Sequence, residues 1–257
     1  MTVINQTHHD QLITVIMAVF NGERFIEEAI LSVINQTYSR IEFIVIDGGS
    51  SDGTVDIIRK YQKDIALWIS ETDEGLYDAW NKGIAHSNGA WISFIGADDA
   101  YHPNAIELYS SYIDNIDNFE YITSKIRLVS PYRDNSKIIG KGWNWKQFKK
   151  SMNTAHVGSL HKRSMYDEKG LYDLDFKIAG DYEFLLRFQS SLRAGFLDKV
   201  TVDMRVGGIS SSDAHVFMET ALAKSIHTSR PKTLIYFEAF YSWSKWIVGN
   251  FLRNYFA

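Results

Sequence analysis

The first hundred residues alternate between short apolar runs and segments whose apolar residues recur at helical spacing. Runs that are apolar at nearly every position are typical of strands buried on both faces, and the intervening spacing is typical of amphipathic helices. Such alternation requires right-handed crossovers, which give a mainly parallel sheet covered by helices on both faces. We therefore predict an α/β fold with strands at Ile13–Val19, Ile41–Ile46, Ala66–Ser70 and Ala90–Ile95, and with helices after Asn21-Gly22, from about Thr54 and from about Leu76.

Two adjacent carboxylates, Asp98 and Asp99, follow the fourth apolar run. Ligands bind at this edge of an open parallel sheet, outside the carboxyl ends of its strands. Carboxylates are hard oxygen donors that suit Mg²⁺ or Mn²⁺, and these ions usually share their coordination shell with substrate phosphates. The alternative is that one of the two residues caps the helix expected after Pro103. These residues alone leave both interpretations open.

Composition excludes several classes of protein. The chain has 257 residues, 45% of them hydrophobic, which is enough for one sizeable core. A net charge of −4 without a long basic run argues against a nucleic-acid partner. The absence of cysteine excludes disulfides and cysteine–zinc sites and fits a reducing cytosol. Residues 1–11 do not have the pattern of a secretory signal, no apolar stretch reaches the roughly 20 residues of a transmembrane helix, and no GxGxxG or P-loop motif occurs.

Five sequence motifs follow one another between residues 15 and 99. They are Val15–Asn21, Ser32–Thr37, Glu42–Thr54, Asp73–Gly83 and Gly96–Asp99, and a later segment is Lys177–Arg187. The motifs resemble those of the family 2 glycosyltransferases of the GT-A fold, a Rossmann-like arrangement, and most of all the bacterial members that assemble cell-surface polysaccharides. The later segment is similar to the one that carries the family's catalytic base. The resemblance covers most of residues 11–210. It implies an inverting enzyme that moves a sugar from a nucleoside-diphosphate sugar to a hydroxyl of a saccharide or lipid-linked acceptor, with Mn²⁺ or Mg²⁺ as cofactor.

The resemblance also implies roles for individual residues. The loops after the first two strands would hold the nucleoside, Asp98 would contact the ribose or the donor sugar, and Asp99 would bind the metal. Lys82 would offset phosphate charge. A solvated lysine at the end of a short helix, flanked by Asp73–Gly75 and Asn81–Gly83, explains Lys82 nearly as well. The expected nucleotide-sugar-binding residues are thus Val19, Phe20, Asn21, Asp47, Lys82 and Asp98, with Asp99 as the metal ligand.

Two glycines depart from the family pattern. Gly48 stands where the family usually has a second acidic residue that reads the pyrimidine edge, so this position offers only backbone groups. Gly180 stands where an acidic residue usually precedes the catalytic aspartate. Asp181 is the expected general base, which takes the proton of the acceptor hydroxyl as that hydroxyl attacks the anomeric carbon. The alternative for Asp181 is an N-cap of the helix that follows.

Between Tyr121 and Phe176 the sequence signals are weak. His156 falls where the family often has a histidine, which makes it a candidate for a donor or acceptor contact, with core packing as the alternative. Gly207–Ser210 resembles a glycine-rich element near the end of the family's core, and it forms either a flap or a turn.

We expect one catalytic domain and a tail. Residues 1–232 form the GT-A domain, with a nucleotide-sugar half at about 11–103 and an acceptor half at about 104–232. Residues 233–257 form an amphipathic helix that starts near Pro231, with apolar residues Leu234, Phe237, Tyr241, Ile247 and Phe251 and cationic Lys245 and Arg253. This pattern predicts an interfacial helix, and hence a cytoplasmic protein that is peripheral on the inner face of the cell membrane. The alternatives are packing on the core and an oligomer contact.

Two other classes of protein share parts of this pattern. A sugar nucleotidyltransferase also needs metal carboxylates and a diphosphate cleft, but its glycine-rich basic loop is missing, because Val19–Gly22 has one glycine and no basic residue. A non-catalytic sugar-binding or scaffold subunit of a polysaccharide assembly is the other. The presence of Asp98, Asp99 and Asp181 together argues against it.

Overall fold

The computed structural model describes residues 11–115, 118–130, 133–208 and 213–255. The strands are β1 (Ile13–Val19), β2 (Ile41–Asp47), β3 (Leu67–Ser70), β4 (Trp91–Gly96), β5 (Ala100–Tyr101), β6 (Tyr121–Ser130), β7 (Arg133–Ile139), β8 (Leu160–Lys162) and β9 (Ala194–Arg205). The helices are α1 (Ile26–Ile34), α2 (Thr54–Lys60), α3 (Leu76–His86), α4 (Ala105–Asn115), α5 (Trp145–Phe148), α6 (Ser164–Lys169), α7 (Gly180–Leu186), α8 (His215–His227) and α9 (Lys232–Tyr255).

The strands form one sheet in the order β3-β2-β1-β4-β8-β6-β9-β5, and β7 pairs with β6. The first four strands run parallel to one another, as the alternation of runs and helices predicts. Val19 at the end of β1 lies beside Asp47 at the end of β2, and Ala18 lies beside Gly96 at the end of β4. The carboxyl ends of these strands therefore meet at one edge of the sheet. Each antiparallel pair among the described residues includes a strand that follows β4.

Both faces of the parallel strands are covered, which explains why β1 is apolar at almost every position. Because side chains alternate between the faces of a strand, Val15 and Met17 pack with α1 residues such as Ile30 on one face. Ile16 packs on the other face with residues of α3 and α7. Each aliphatic side chain that is buried in this way stabilises the fold by about 1.5–3 kcal/mol.

One local expectation and one of the alternatives are wrong. Asn81–Gly83 does not flank a short helix, since α3 continues to His86. Asn81 exchanges hydrogen bonds of 2.9 Å with the backbone of Tyr172, and a Cβ on Gly83 would lie 2.5 Å from Cγ2 of Ile16, so both positions serve packing. The acidic pair does not cap the helix after Pro103 either, because β5 intervenes before α4 begins at Ala105.

The tail is helical, as predicted, and α9 begins directly after Pro231. One stripe of the helix faces α8: Ile235 is fully buried, and the ring of Trp246 meets that of Phe217 edge-on at 6.3 Å. The side chains of Phe251 and Arg253, which we assigned to the apolar face and the cationic heads, lie outside the described part of the chain. Within the described part, no helix has the length and apolarity needed to cross a membrane.

Candidate functional site

The loops after β1 and β2 are cross-linked at the carboxyl edge. The N–H of Asn21 donates to Ser50 Oγ at 2.7 Å, and the N–H of Ser51 donates to Asn21 Oδ1 at 2.9 Å. Asn21 has a φ of +50°, a left-handed conformation that asparagine tolerates better than most residues. The carbonyl of Val19 accepts the N–H of Gly48 at 2.9 Å. These contacts leave the Phe20 ring, which is 65% exposed, as the apolar surface that this loop offers to a ligand.

Asp47 is fully buried at the end of β2. Its carboxylate accepts the N–H of Ser50 at 3.1 Å and the hydroxyl of Ser70 at 2.6 Å. A buried carboxylate needs such donors, because burial of an unpaired charge is costly. Asp47 thus ties β2 and its loop to the end of β3.

Gly48 leaves space that another carboxylate fills. A Cβ on Gly48 would lie 2.5 Å from Oδ2 of Asp73, in the loop between β3 and α3. The other oxygen of Asp73 accepts the N–H of Gly75 at 2.9 Å, which fixes the start of α3. A side chain at position 48 would therefore require the Asp73 carboxylate to move.

The acidic pair converges above the end of β4. The Cβ position of Gly96 lies 2.7 Å from Asp99 Oδ2 and 2.9 Å from Asp98 Oδ1, so any side chain at Gly96 would fill the space between the two carboxylates. Asp99 is only 4% exposed. Burial, with a smaller contribution from the Asp98 charge, raises the pKa of Asp99 to about 7.

Arg205, at the end of β9, holds the acidic pair in place. Its backbone N–H donates to Asp99 Oδ1 at 2.9 Å, and its guanidinium donates to the carbonyl of Asp98 at 2.5 Å. The same guanidinium donates to Glu28 and lies 4.5 Å from the centre of the Phe25 ring. Strand β9 is thereby joined to α1 across the acidic pair.

The acidic pair suits a hard divalent cation such as Mn²⁺ or Mg²⁺ in its donor chemistry and in the convergence of two carboxylate oxygens. Among the residues that the structure describes, no group of three or more His, Cys, Asp or Glu side chains is placed to hold a metal. An ion bound by this pair would therefore take its remaining ligands from phosphate oxygens and water.

Asp181 lies in the first turn of α7, and the N-cap position belongs to Ala179, so Asp181 is not the N-cap. Its Oδ1 accepts the N–H of Tyr182 at 2.8 Å and lies 3.2 Å from the hydroxyl of Tyr77. Desolvation raises the pKa of Asp181 to about 6, against these hydrogen bonds, which lower it. The carboxylate therefore holds a proton more strongly than an exposed aspartate does.

Gly180 gives space to Tyr77, as Gly48 gives space to Asp73. A Cβ on Gly180 would lie 2.8 Å from Cε2 of the Tyr77 ring, and the Tyr77 hydroxyl also donates to the carbonyl of Ile178 at 2.8 Å. The segment Asp73–Tyr77 thus contacts the end of β2 with its first residue and the start of α7 with its last.

Lys82 is already paired with carboxylates, and His156 is buried. The ammonium of Lys82 lies 2.9 Å from Glu71 and 3.2 Å from Asp78. His156 is 6% exposed, and its ring stacks on Trp80 with a centroid distance of 4.6 Å. Burial lowers the pKa of His156 to about 3, so its ring is neutral at physiological pH.

Solved structures have the same fold. Residues 1–349 of TarS from S. aureus, in complex with UDP-GlcNAc, match with a TM-score of 0.68 at 18% identity, over 87% of this chain and 69% of that chain. The mannosyltransferase PcManGT from Pyrobaculum calidifontis, in complex with GDP-Man and Mn²⁺, matches with a TM-score of 0.61 at 19% identity, over 90% of this chain and 69% of that chain. The predicted GT-A fold is confirmed.

The sequence comparisons identify the family. The family model described as glycosyl transferase family 2 matches residues 14–166, and the chain therefore belongs to this family. An uncharacterized glycosyltransferase of Rickettsia typhi is 28% identical over 212 residues, which cover 79% of this chain and 66% of the relative's own length.

Tyr77 and Arg205 contact the candidate site residues, and sequence analysis does not single out either of them. Both are defined by partners far away in the sequence, Asp181 for Tyr77 and the acidic pair for Arg205. Arg205 stands two residues before Gly207 of the glycine-rich element, and this closeness is the sequence signal that could have found it. Ile209 and Ser210 of that element lie outside the described residues.

We predict that Gly48→Asp lowers the free energy of unfolding by about 1–3 kcal/mol, because the new side chain enters the space of the Asp73 carboxylate. Adding Asp73→Ser should recover most of the loss, and urea unfolding of the single and double variants measures this coupling. Gly208→Ala is the control, since nothing lies within 4 Å of its Cβ position. Equal destabilisation by Gly48→Asp with and without Asp73→Ser would contradict the steric explanation.

Proposed function

We propose that this chain is an inverting, metal-dependent glycosyltransferase. It moves a sugar from a nucleoside-diphosphate sugar to a hydroxyl of a saccharide or lipid-linked saccharide acceptor in cell-surface polysaccharide synthesis. The observation that carries the proposal is the convergence of Asp98 and Asp99 above Gly96, at the edge where β1 and β2 end. The family membership and the nucleotide sugars bound by TarS and PcManGT support it.

The donor would lie along the carboxyl edge of the parallel strands. Its nucleoside would occupy the cross-linked loops, against Phe20 and the backbone of Val19 and Asn21, with Asp47 fixing their positions. Asp98 would contact the ribose or the donor sugar, and Asp99 would bind Mn²⁺ or Mg²⁺. Such an ion stabilises the negative charge that grows on the departing nucleoside diphosphate.

Lys82 and His156 would act on the donor site indirectly, by fixing the side chains that they contact. Lys82 holds Glu71 beside Asp78 at the start of α3, and it would meet the diphosphate only by releasing one of these carboxylates. His156 fixes the indole of Trp80 by stacking, and so would act on the donor or the acceptor indirectly.

Asp181 would act as the general base. It takes the proton of the acceptor hydroxyl while the oxygen of that hydroxyl bonds to the anomeric carbon and the bond from that carbon to the diphosphate oxygen breaks. One displacement with one base inverts the anomeric centre. Since its pKa is about 6, the carboxylate is ionised near neutral pH yet more basic than an ordinary aspartate, which suits a base.

The outer stripe of α9 would place the enzyme on an anionic membrane surface. Phe237 is 66% exposed and Phe240 is 63% exposed. The ring of Trp243 lies 5.7 Å from that of Phe240, and the Lys245 ammonium lies 4.4 Å from the centre of the Tyr241 ring. Exposed aromatic rings beside a lysine are typical of helices that lie in the headgroup region. A lipid-linked acceptor would be presented at the same surface, on the inner face of the cell membrane.

Asp99→Ala is expected to abolish the Mn²⁺-dependent binding of a nucleoside diphosphate, because the ion loses its buried ligand. Calorimetric titration with UDP and with GDP, each with and without Mn²⁺, measures this. Asp56→Ala is the matched control, since the Asp56 side chain is 82% exposed on α2 and pairs with Arg59. Wild-type affinity in a folded Asp99→Ala protein would contradict the metal assignment.

Asp181→Asn is expected to leave donor binding intact and to lower turnover by roughly 10²-fold or more, as for loss of a general base. The raised pKa gives a second expectation for the wild type. Because the base must be ionised, turnover should fall as the pH drops through about 6. The release of nucleoside diphosphate, followed from pH 5 to pH 8, tests both. Normal turnover per folded molecule in Asp181→Asn would make Asp181 a structural residue.

The double variant Phe237→Ser/Phe240→Ser is expected to weaken binding to phosphatidylglycerol vesicles by roughly tenfold or more, because two large apolar side chains leave the membrane. Substitution is preferable to removal of residues 233–257, which would also remove the buried Ile235. Vesicle flotation measures the binding. Ile138→Ser is the control, since Ile138 is 57% exposed but lies on β7 and not on α9. A wild-type protein that stays unbound would show that the tail has another role.

A further inference from the structure

Glu219 lies on α8, outside the groups assigned above, and its carboxylate contacts the start of α7. Its Oε2 accepts the N–H of Ile178 at 2.8 Å and that of Ala179 at 2.9 Å. The N–H of Lys177 lies 3.0 Å from Oε1. These three N–H groups precede Gly180, the first residue of α7, and so they lie outside the hydrogen bonds of the helix itself. A carboxylate from a separate helix therefore satisfies the backbone that leads into α7.

The same short segment is held from its other side by α3 and the loop before it. The Tyr77 hydroxyl donates to the carbonyl of Ile178 at 2.8 Å, and the Lys177 ammonium donates to the carbonyl of Glu74 at 3.0 Å. Ile178 is thus fixed through its carbonyl by α3 and through its N–H by α8. Asp181 follows three residues later, within the first turn of α7, so its carboxylate is oriented by this clamp.

Glu219 also acts on Asp181 through its charge. Its negative charge raises the pKa of Asp181, in addition to desolvation, whereas hydrogen bonds from Tyr77 and from the N–H of Tyr182 lower it. Burial raises the pKa of the phenols of Tyr121 and Tyr172, and the charge of Asp181 adds a smaller contribution in the same direction. The charge of Glu219 therefore makes Asp181 a stronger base, and the hydrogen bonds of Glu219 fix the position of Asp181.

We propose that Glu219 is a positioning residue, which fixes the start of α7 and with it the carboxylate of Asp181. The inference rests on the proposed role of Asp181 as the general base. Loss of Glu219 lowers kcat and leaves the KM for the donor unchanged, because the donor lies at the other end of the Asp73–Tyr77 segment. Misplacement of a catalytic group lowers turnover by roughly 10- to 100-fold.

Three variants of the full chain separate positioning from simple helix docking. Glu219→Ala removes all of the hydrogen bonds that the Glu219 carboxylate accepts from residues 177–179. Glu219→Gln keeps one carbonyl oxygen for Ile178 and Ala179 but removes the charge. His227→Gln is the matched control, because His227 Nε2 lies 2.6 Å from Glu183 Oε1 and so ties α8 to α7 without contacting residues 177–179.

The first test needs no substrate. Hydrogen exchange is expected to be roughly tenfold faster at the amides of residues 178 and 179 in Glu219→Ala, as for loss of a helix cap, and unchanged there in His227→Gln. Carboxyl NMR titration, with the Asp181 signal assigned through Asp181→Asn, is expected to give a lower Asp181 pKa in Glu219→Gln than in the wild type. Unchanged exchange in Glu219→Ala, or equal acceleration in His227→Gln, overturns the proposal.

The second test compares turnover, followed as release of nucleoside diphosphate from UDP-GlcNAc and from GDP-mannose. Glu219→Ala is expected to lose kcat at constant KM, and Glu219→Gln to lose less and to shift the acid limb of the pH profile downward. Asp181→Asn is run in parallel. If Asp181→Asn turns over normally, the proposed base is wrong; if it is inactive while Glu219→Ala matches the wild type per folded molecule, the positioning role alone is wrong.

Discussion

The parallel register of β1 with β2 and β4 is the constraint on which the rest of the site depends. It places Val19 beside Asp47 and Ala18 beside Gly96, so the loops after the three strands begin at one edge. Slippage by one residue would turn every side chain of a strand to the opposite face. Because both faces of β1 are apolar and covered, burial alone does not forbid a shift of β1. The hydrogen bonds of Asn21 with the loop after β2 help to hold the edge together.

The segment Asp73–Tyr77 joins the two chemical parts of the site. Its first residue fits against Gly48 and its last against Gly180, the two positions at which the sequence departs from the family pattern. A larger residue at either glycine would therefore require a side chain of this loop to move. The segment also links the donor edge to the helix that carries Asp181. Strand β9 contacts the donor edge, where the N–H of Arg205 donates to Asp99.

The sequence predicts the first half of the fold well because its strands are continuous apolar runs. Ile13–Val19 is found with the expected bounds, and the acidic pair follows β4 as expected. The second half is harder to predict, since β8 has only three residues and the last four residues of β6 are only partly buried. The i,i+4 spacing of Asp78 and Lys82 on α3 could have predicted their ion pair. The surroundings of His156 and Asp181 could not be predicted, because contacts such as that of Trp80 with His156 come from tertiary packing.

The proposed mechanism depends on Asp99 as the metal ligand of a nucleotide-sugar site. The most direct measurement is an anomalous difference map from crystals grown with Mn²⁺ and either UDP or GDP. If Asp99 holds the ion, the map will show a single strong manganese peak beside Asp99 Oδ2, because Oδ1 already accepts the N–H of Arg205. A bound nucleotide whose manganese lies away from Asp99, or a nucleotide that binds at this edge without any ion, would show that Asp99 is not the metal ligand.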